Sequence, residues 1–125
     1  MTTRDITIET IDSTIAGDGM VLLDFWAAWC GPCRSFAPVF DRAAASNTDI
    51  VFGKVDTEDQ QQLAAAFRIT SIPTLMAFRD GILVFSQPGA LGQAQLDSLI
   101  AGVRALDMDD VRRQVAEQRA AAEAP

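Results

Sequence analysis

The two cysteines of the segment WCGPC are the residues of this chain whose type and spacing best fit chemistry. Cys30 and Cys33 are three positions apart, so a helix that begins here places both sulfur atoms on one side, one turn apart. At that spacing the two sulfurs lie close enough to bond. The pair can therefore exist as a dithiol or as a disulfide, which predicts thiol–disulfide chemistry.

The two cysteines are expected to play different parts. Cys30 lies at the start of the predicted helix, where unpaired backbone N–H groups and the helix dipole stabilise negative charge. This favours the Cys30 thiolate as the nucleophile, whereas Cys33, one turn further on, is expected to be more buried and to act second. Pro32 suits the first turn because its missing N–H has no partner there, and Gly31 leaves the neighbouring sulfur open to an approaching polypeptide.

A carboxylate interrupts the apolar run MVLLDFW that precedes the cysteines. In a strand, Leu22, Asp24 and Trp26 share one face, and if the following helix covers that face, Asp24 lies beneath the cysteines. Burial raises the pKa of a carboxyl group, so Asp24 is a candidate acceptor for the Cys33 proton; the alternative is a hydrogen-bonded structural carboxylate. Lys54 interrupts a second apolar strand and either pairs with Asp24 or extends to solvent.

Metal binding is the main competing interpretation of two cysteines at this spacing. A tetrahedral zinc site needs four ligands, whereas the chain offers two Cys, no His and no second pair. A dimer that shares a metal ion or an iron–sulfur cluster would supply the missing thiolates, and a purely structural disulfide is a further alternative. We predict neither a bound metal nor a bound cofactor.

Apolar periodicity predicts the elements that position these residues. Strands are predicted at residues 5–9, 20–26, 50–55, 74–78 and 82–85; helices are predicted near residues 11–15, from the cysteines, after the capping-box spacing at residues 57–60, and after Gly92. The Asp80-Gly81 pair indicates a tight hairpin between the last two strands. The order βαβαβαββα predicts an α/β fold, with a central mixed β-sheet flanked by helices on both faces.

Composition and charge exclude several classes of function. Hydrophobic residues make up 49% of the 125 residues and charged residues 22%, which is typical of a globular domain. A net charge of −7 argues against a nucleic-acid partner, because phosphate contacts need clustered Lys and Arg. No apolar signal region opens the chain and its longest apolar run is too short to span a bilayer, so we predict a cytoplasmic protein with no membrane contact. A monomer is the default for its oligomeric state.

Four segments, in this order and spacing, resemble the thioredoxin family: VLLDFWAAWCGPCRSFAP, FGKVDTE, RITSIPTLMAF and PGALGQAQL. The resemblance implies the thioredoxin fold and protein-disulfide reductase activity through a redox-active Cys30–Cys33 disulfide. It implies disulfide-containing target proteins and a flavin-containing thioredoxin reductase that draws its electrons from NADPH. It also matches Asp24 and Lys54 with the family's buried acid and its lysine partner.

The resemblance also implies a docking groove beside the cysteines. Base rates alone favour a trans Ile72–Pro73 peptide, whereas the family places a cis proline against the cysteine pair. The residues that map onto the groove or adjoin it are Trp29, Gly31, Pro32, Ile72, Pro73, Gly89 and Ala90. For Trp29 the alternative is simple packing.

The chain changes character after residue 106. Residues 107–125 are rich in charge and alanine, with only Met108, Val111 and Val115 as a thin apolar stripe, and three early aspartates favour a helix start. We predict a thioredoxin domain over residues 1–106 and an extension over residues 107–125. The extension is either a further helix or a solvated, frayed tail.

Two rival functions keep the same fold. The first is an oxidase or isomerase of the same superfamily, which uses a less stable disulfide. The superfamily members that resemble such an enzyme carry a His between the cysteines, where this chain has Pro32. A non-enzymatic module that stabilises a partner protein would leave both cysteines dispensable. Pro32 therefore favours the reductase.

Overall fold

The computed structural model describes residues 3–124, and within them it contains five strands and five helices. In chain order they are β1 (Thr3–Asp5), α1 (Ile11–Ile15), β2 (Met20–Trp26), α2 (Gly31–Ser46), β3 (Val51–Asp56), α3 (Gln61–Ala66), β4 (Thr74–Arg79), β5 (Ile82–Pro88), α4 (Gln93–Arg104) and α5 (Met108–Glu123). This order is the predicted one with a final helix added. The α/β class is confirmed.

Strand β2 lies at the centre of the sheet, whose strand order is β1-β3-β2-β4-β5. It pairs in parallel with β3 and antiparallel with β4, which confirms the predicted mixed sheet. A nearly continuous apolar run suits this position, because a central strand covered on both faces has no solvent side. Its one carboxylate, Asp24, stands opposite Lys54 on β3 and Leu75 on β4.

Helices cover both faces of the sheet, and successive residues of β2 alternate between two apolar clusters. Leu22 belongs to the cluster that contains Phe36 of α2 and Leu96 of α4. Leu23 belongs to the opposite cluster, with residues of α1 and α3. Because Asp24 lies two positions after Leu22, it shares the face that α2 covers. Which face α2 covers was open from the sequence, and the structure has α2 on this one.

The hairpin between β4 and β5 holds the end of α4. Its Asp80-Gly81 turn is the predicted one, with positive φ at both residues. The Nη1 group of Arg79 donates hydrogen bonds to the carbonyl oxygens of Val103, Arg104 and Leu106 at 2.9, 3.1 and 2.9 Å. The last carbonyls of a helix have no intrahelical partner, so this guanidinium caps α4.

Residues Met108–Glu123 form helix α5, and only its first half rests on the domain. The carboxylate of Asp107 accepts hydrogen bonds from two backbone N–H groups of the first turn of α5, at 3.1 and 3.3 Å. Met108 is buried, and Arg112 forms an ion pair with Asp80 at 3.6 Å. Every described residue from 116 onward is exposed. The extension is therefore helical, as in the first alternative, with a solvated second half.

The first strand is shorter than predicted. Residues 5–9 alternate in polarity, but β1 ends at Asp5, and only the Ile6 N–H continues the ladder by donating to the Lys54 carbonyl at 2.9 Å. The Thr7 N–H donates instead to the Thr10 hydroxyl at 2.9 Å, which turns the chain toward α1. The predicted strand over residues 6–9 is wrong because a side-chain acceptor captures the backbone there.

The predicted capping box at residues 57–60 is also wrong. The Thr57 hydroxyl donates to the Trp26 carbonyl at 3.0 Å instead of capping a helix. Helix α3 begins at Gln61, and its N-cap residue, Gln60, makes no capping hydrogen bond with its side chain. A long-range contact with β2 uses the hydroxyl that the local spacing assigned to the helix.

Candidate active site

Both cysteines lie where the chain leaves β2 and enters α2. Cys30 is the N-cap residue, with an extended backbone at φ −87° and ψ 114°, and Gly31 is the first helical residue. Pro32 occupies the first turn, where a backbone N–H would have no helical acceptor. The local sequence therefore places the sulfur of Cys30 at the helix N-terminus, as the spacing predicts.

The two sulfurs form a disulfide, and the Cα atoms of Cys30 and Cys33 are 5.2 Å apart. The backbone N–H of Cys33 donates to the Sγ atom of Cys30 at 3.2 Å. A backbone donor aimed at this sulfur, together with the positive end of the helix dipole, stabilises negative charge on Cys30 once the disulfide is reduced.

Cys30 is less open in this oxidised state than the sequence led us to expect. The exposed fraction is 4% for Cys30 and 2% for Cys33, so the predicted contrast between an open and a buried sulfur is absent. The bond to Cys33 holds Cys30 within an apolar cluster that includes Ala27, with Trp26 and Ile72 packed against it. This cluster covers both sulfurs.

Trp29 lies on the surface beside Cys30, with 67% of its area exposed. Its indole Nε1–H donates to the Oε1 atom of Glu58 at 2.6 Å. This hydrogen bond holds the ring at the surface, so the packing alternative for Trp29 does not describe its position. Glu58 escaped the sequence analysis because it comes from the turn after β3, and no local pattern links it to Trp29.

Three residues of the predicted groove meet beside Cys30. The Ile72–Pro73 peptide is cis, as the resemblance implies, and the Ile72 carbonyl oxygen lies 3.8 Å from the Cys30 sulfur. The Gly89 N–H donates to the Pro73 carbonyl at 2.8 Å, with φ at +106°, a value that side chains with a Cβ atom rarely adopt. Ala90 follows at the surface. The loop before β4 and the loop after β5 are therefore joined at this point.

Asp24 is buried beneath α2, with an exposed fraction of 1%. Neither of its carboxylate oxygens accepts a hydrogen bond from any residue in the described range 3–124. Burial raises the pKa of Asp24 to about 7; Lys54 lowers this pKa and Asp41 raises it, each by less. A hydrogen-bonded structural carboxylate does not match these contacts, whereas a carboxyl group that exchanges a proton near neutral pH does.

Lys54 does not form the ion pair with Asp24 that was one of the two positions considered from the sequence. It stands opposite Asp24 in the sheet, yet across residues 3–124 it forms no ion pair with any carboxylate. Its Nζ atom lies 5.1 Å from the centroid of the Trp26 ring, and the side chain is partly buried. The sequence analysis therefore missed Trp26 as a site residue. Its position two residues after Asp24, on the same face of β2, would have indicated that its ring lies near the site.

The described residues offer no further ligand set. Between residues 3 and 124 there is no cluster of three or more His, Cys, Asp or Glu that is able to hold a metal ion. A tetrahedral zinc site needs more ligands than the cysteine pair supplies. In that same part of the chain, no helix has the length and apolar character needed to cross a membrane.

Comparisons with known proteins agree with this geometry. The family model described as Thioredoxin matches residues 2–102. The chain is 56% identical over 120 residues to a putative thioredoxin 2 of Streptomyces coelicolor, a match that covers 96% of this chain and 90% of the relative. It is 40% identical over 99 residues to a thioredoxin of Mycobacterium tuberculosis, covering 74% of this chain and 85% of the relative.

Solved structures show the same architecture. A thioredoxin of Plasmodium falciparum superimposes with a TM-score of 0.74 at 33% identity, covering 80% of this chain and 98% of its own. A thioredoxin of Malassezia sympodialis superimposes with a TM-score of 0.72 at 31% identity, covering 80% of this chain and 89% of its own. Both likenesses have enough sequence identity to reflect the family as well as the fold.

Proposed function

Because the chain belongs to the thioredoxin family and is a protein-disulfide reductase, we propose that Cys30 attacks the target disulfide and that Cys33 resolves the product. One observation carries this assignment: the backbone N–H of Cys33 donates to the Cys30 sulfur at the N-terminus of α2. The thiolate is the attacking species in disulfide exchange, and this environment favours the thiolate of Cys30 over that of Cys33.

The proposed cycle balances in two exchanges. The Cys30 thiolate attacks one sulfur of the target disulfide; the target S–S bond breaks, a mixed disulfide forms, and the other target sulfur leaves as a thiolate. Cys33 then loses its proton and attacks Cys30, and the second target sulfur leaves. The target gains two electrons, and Cys30 and Cys33 end as the disulfide seen in the structure.

Asp24 is proposed to accept the proton that Cys33 loses. Its pKa of about 7 lets it change protonation state at the pH at which the reaction runs, which an ordinary carboxylate does not do. Lys54 is proposed as the cation that limits this rise, since its charge favours the ionised form of Asp24.

The surface around Cys30 is proposed to dock the target polypeptide. The exposed ring of Trp29 and the Ile72 carbonyl beside the Cys30 sulfur offer one apolar face and one backbone acceptor. The remaining residues assigned to this surface are Gly31, Pro32, Pro73, Gly89 and Ala90. Recognition largely through backbone groups permits many different targets.

The family also suggests the partners of this protein and its cellular location. We propose that a flavin-containing thioredoxin reductase returns electrons from NADPH to the Cys30–Cys33 disulfide. The targets are disulfide-containing proteins, the protein acts as a cytoplasmic monomer, and it binds no cofactor, metal, nucleic acid or membrane.

Residues 1–106 are proposed to be sufficient for this activity. The family match ends at residue 102, and the site residues from Asp24 to Ala90 all precede α5. Residues 107–125 would then support the domain without entering the reaction.

Trapping the intermediate tests the assignment of the two cysteines. With Cys33→Ser, the mixed disulfide between Cys30 and the target cannot be resolved, so the covalent complex accumulates one-to-one and is released by dithiothreitol. The matched variant Cys30→Ser should form no complex with the same target. Normal turnover by Cys33→Ser, or trapping through Cys33 in the Cys30→Ser variant, would overturn the assignment.

The two kinetic steps test Asp24 separately. We expect Asp24→Asn to slow resolution of a preformed mixed disulfide more than it slows the first attack, because only the second step needs a proton acceptor for Cys33. Stopped-flow measurement of both steps provides the comparison. Equal slowing of the two steps would rule out the proton-acceptor role.

A redox titration separates the reductase from its rivals. A potential of the cysteine pair below roughly −250 mV supports a reductant, because isomerases and oxidases with paired cysteines lie at roughly −180 to −120 mV. A markedly higher potential indicates an oxidase or isomerase. A pair that does not equilibrate with redox buffers indicates a binding module.

A further inference from the structure

Lys54 does not use the partner that lies opposite it in the sheet. It is the register neighbour of Asp24 on β3, and neither carboxylate oxygen of the buried Asp24 accepts a hydrogen bond from the described residues. The Nζ atom nevertheless lies over the ring of Trp26, 5.1 Å from its centroid. Within residues 3–124 this ammonium group makes no ion pair.

The three side chains share one face of the sheet. Asp24 and Trp26 are two positions apart on β2, so both point to the side that α2 covers, and a residue in register on a neighbouring strand points the same way. The flexible stem of Lys54 therefore has two acceptors within its reach, a carboxylate and an aromatic ring. The structure shows it on the ring.

The chemistry of the two acceptors explains why the ring competes. An indole face attracts a cation without requiring full removal of water from it, whereas an ion pair with a fully buried carboxylate requires both charges to lose their water. Trp26 and Lys54 are each partly exposed, and Asp24 is not. The ammonium on the ring thus keeps part of its hydration.

We propose that Trp26 is a positioning residue that holds the Lys54 ammonium on its ring and so prevents Lys54 from closing an ion pair with Asp24. This inference rests on the proposed role of Asp24 as the proton acceptor for Cys33. An acceptor locked in an ion pair stays ionised throughout the cycle and cannot hold the proton, whereas one influenced by a more distant cation can.

The other groups around Asp24 do not depend on Trp26. From α2, Asp41 acts on Asp24 in the direction opposite to Lys54, and Cys33 contributes a thiol after reduction. On β4 the register neighbour of Asp24 is the apolar Leu75. Asp56 stands opposite Trp26 and accepts backbone hydrogen bonds from the following turn. Lys54 is thus the charge whose position the Trp26 ring controls.

The test measures the protonation of Asp24 directly, by the carboxyl ¹³C chemical shift against pH. The oxidised protein is used because its cysteines do not titrate and so cannot distort the curve. The variants are Trp26→Leu, Trp26→Phe, Lys54→Met and the double variant Trp26→Leu/Lys54→Met.

We expect Trp26→Leu to lower the Asp24 midpoint by about one pH unit, because a cation within about 4–6 Å lowers a carboxyl pKa by roughly that much or more. Trp26→Phe should lower it less, because a phenyl face still attracts the ammonium. In the Lys54→Met background, Trp26→Leu should have no effect.

Water entering the site is the competing explanation, and the double variant decides between the two. If Trp26→Leu lowers the midpoint equally with and without Lys54, hydration of Asp24 is the cause and the proposal is wrong. An unchanged midpoint in Trp26→Leu also overturns it. Should Trp26→Leu not fold, Trp26→Phe with and without Lys54→Met gives the same decision from a smaller shift.

A kinetic readout connects the titration to the reaction. In Trp26→Leu the pH profile of mixed-disulfide resolution should move to lower pH by the same interval as the Asp24 midpoint. In Trp26→Phe the profile should stay close to that of the native protein. The titration needs neither target nor reductase. Its failure is therefore distinguishable from failure of the proposed function, which shows instead as equal slowing of both kinetic steps in Asp24→Asn or as normal turnover by Cys33→Ser.

Discussion

Asp24 and Asp110 show two opposite environments for a carboxylate in one small fold. Asp24 is 1% exposed and has no hydrogen-bond partner among the described residues, and burial raises its pKa to about 7. Asp110 lies on α5, where hydrogen bonds from Arg113 and Gln114 hold its pKa below the usual range. The carboxylate with the better contacts is at the surface, where solvent screens them.

The difference shows that a count of contacts is a poor guide to energy. In an exposed ion pair, the attraction between the charges roughly equals the hydration that they lose, so the net free energy is small. A buried carboxylate without a hydrogen-bond partner loses its hydration and forms no interaction that compensates. Titratable groups with strongly perturbed pKa values cluster at functional sites. The unpartnered carboxylate therefore marks the site more clearly than any well-bonded one.

The largest expected effect is the pH dependence of stability that Asp24 imposes. Its pKa is 3.8 in the unfolded reference and about 7 in the fold, so the folded protein binds the extra proton and loses stability as pH rises between these values. The total loss is on the order of 4 kcal/mol above pH 7. We expect Asp24→Asn to exceed the native protein in stability by an amount that grows by this much between about pH 4 and pH 8.

Urea unfolding of the oxidised proteins across this pH range measures the effect. Asp18→Asn, on the exposed turn before β2, is the matched control for the same Asp-to-Asn change made at the surface. A constant difference for Asp24→Asn would mean that the buried carboxylate carries no such cost.

The second-largest effect is expected from the packing of helix α5 against the domain. Met108 is buried against the domain, so Met108→Ala should lower the free energy of unfolding by about 2 kcal/mol, at the low end for a core methionine because the site is near the surface. Disulfide reductase activity should not change, and a chain ending at Leu106 should keep it as well. Loss of activity in the truncated chain would overturn the proposed division at residue 106.

A smaller effect is expected at Glu58, an exposed carboxylate whose partner is an indole. Glu58→Ala removes the acceptor that holds the Trp29 ring, so KM for protein targets should rise about threefold while kcat stays constant, in line with one net hydrogen bond. Glu58→Gln keeps an acceptor and should stay near the native KM. A change in kcat with no change in KM would contradict the role of Trp29 in docking the target.

The smallest effect is expected at Asp110 itself. At pH 7, Asp110→Asn should leave Tm unchanged within error because its ion pair with Arg113 is exposed. The lowered pKa means that any contribution exists above the unfolded value and disappears as pH falls through the folded one. A clear drop in Tm at pH 7 would contradict the distinction between the two carboxylates.

Local pattern predicted most of the fold and the centre of the site. The period of two in β2 assigned Asp24 to one face with Leu22 and Trp26, and the cysteine spacing placed Cys30 at the helix N-terminus. Two of the failures depended on contacts between distant segments, since Thr57 bonds to β2 and Glu58 reaches Trp29. The strand over residues 6–9 failed for a local reason, because the Thr10 hydroxyl takes the Thr7 N–H. The position of Lys54 was missed for a different reason. Its flexible side chain reaches both the Asp24 carboxylate and the Trp26 ring, and the sequence does not indicate which of the two it contacts.

The place of β2 in the sheet also affects the chain as it is synthesised. This strand pairs with β3 and β4, so it cannot be covered on both sides until residues 74–79 have emerged. At translation rates of about 5–20 residues per second, an apolar strand stays exposed for several seconds. In the unfolded chain Asp24 is ionised at neutral pH, and it places a charge in the middle of that strand. A charge within an exposed apolar segment disfavours its association with other chains, so the carboxylate that costs the finished fold stability has the opposite effect while the chain is being made.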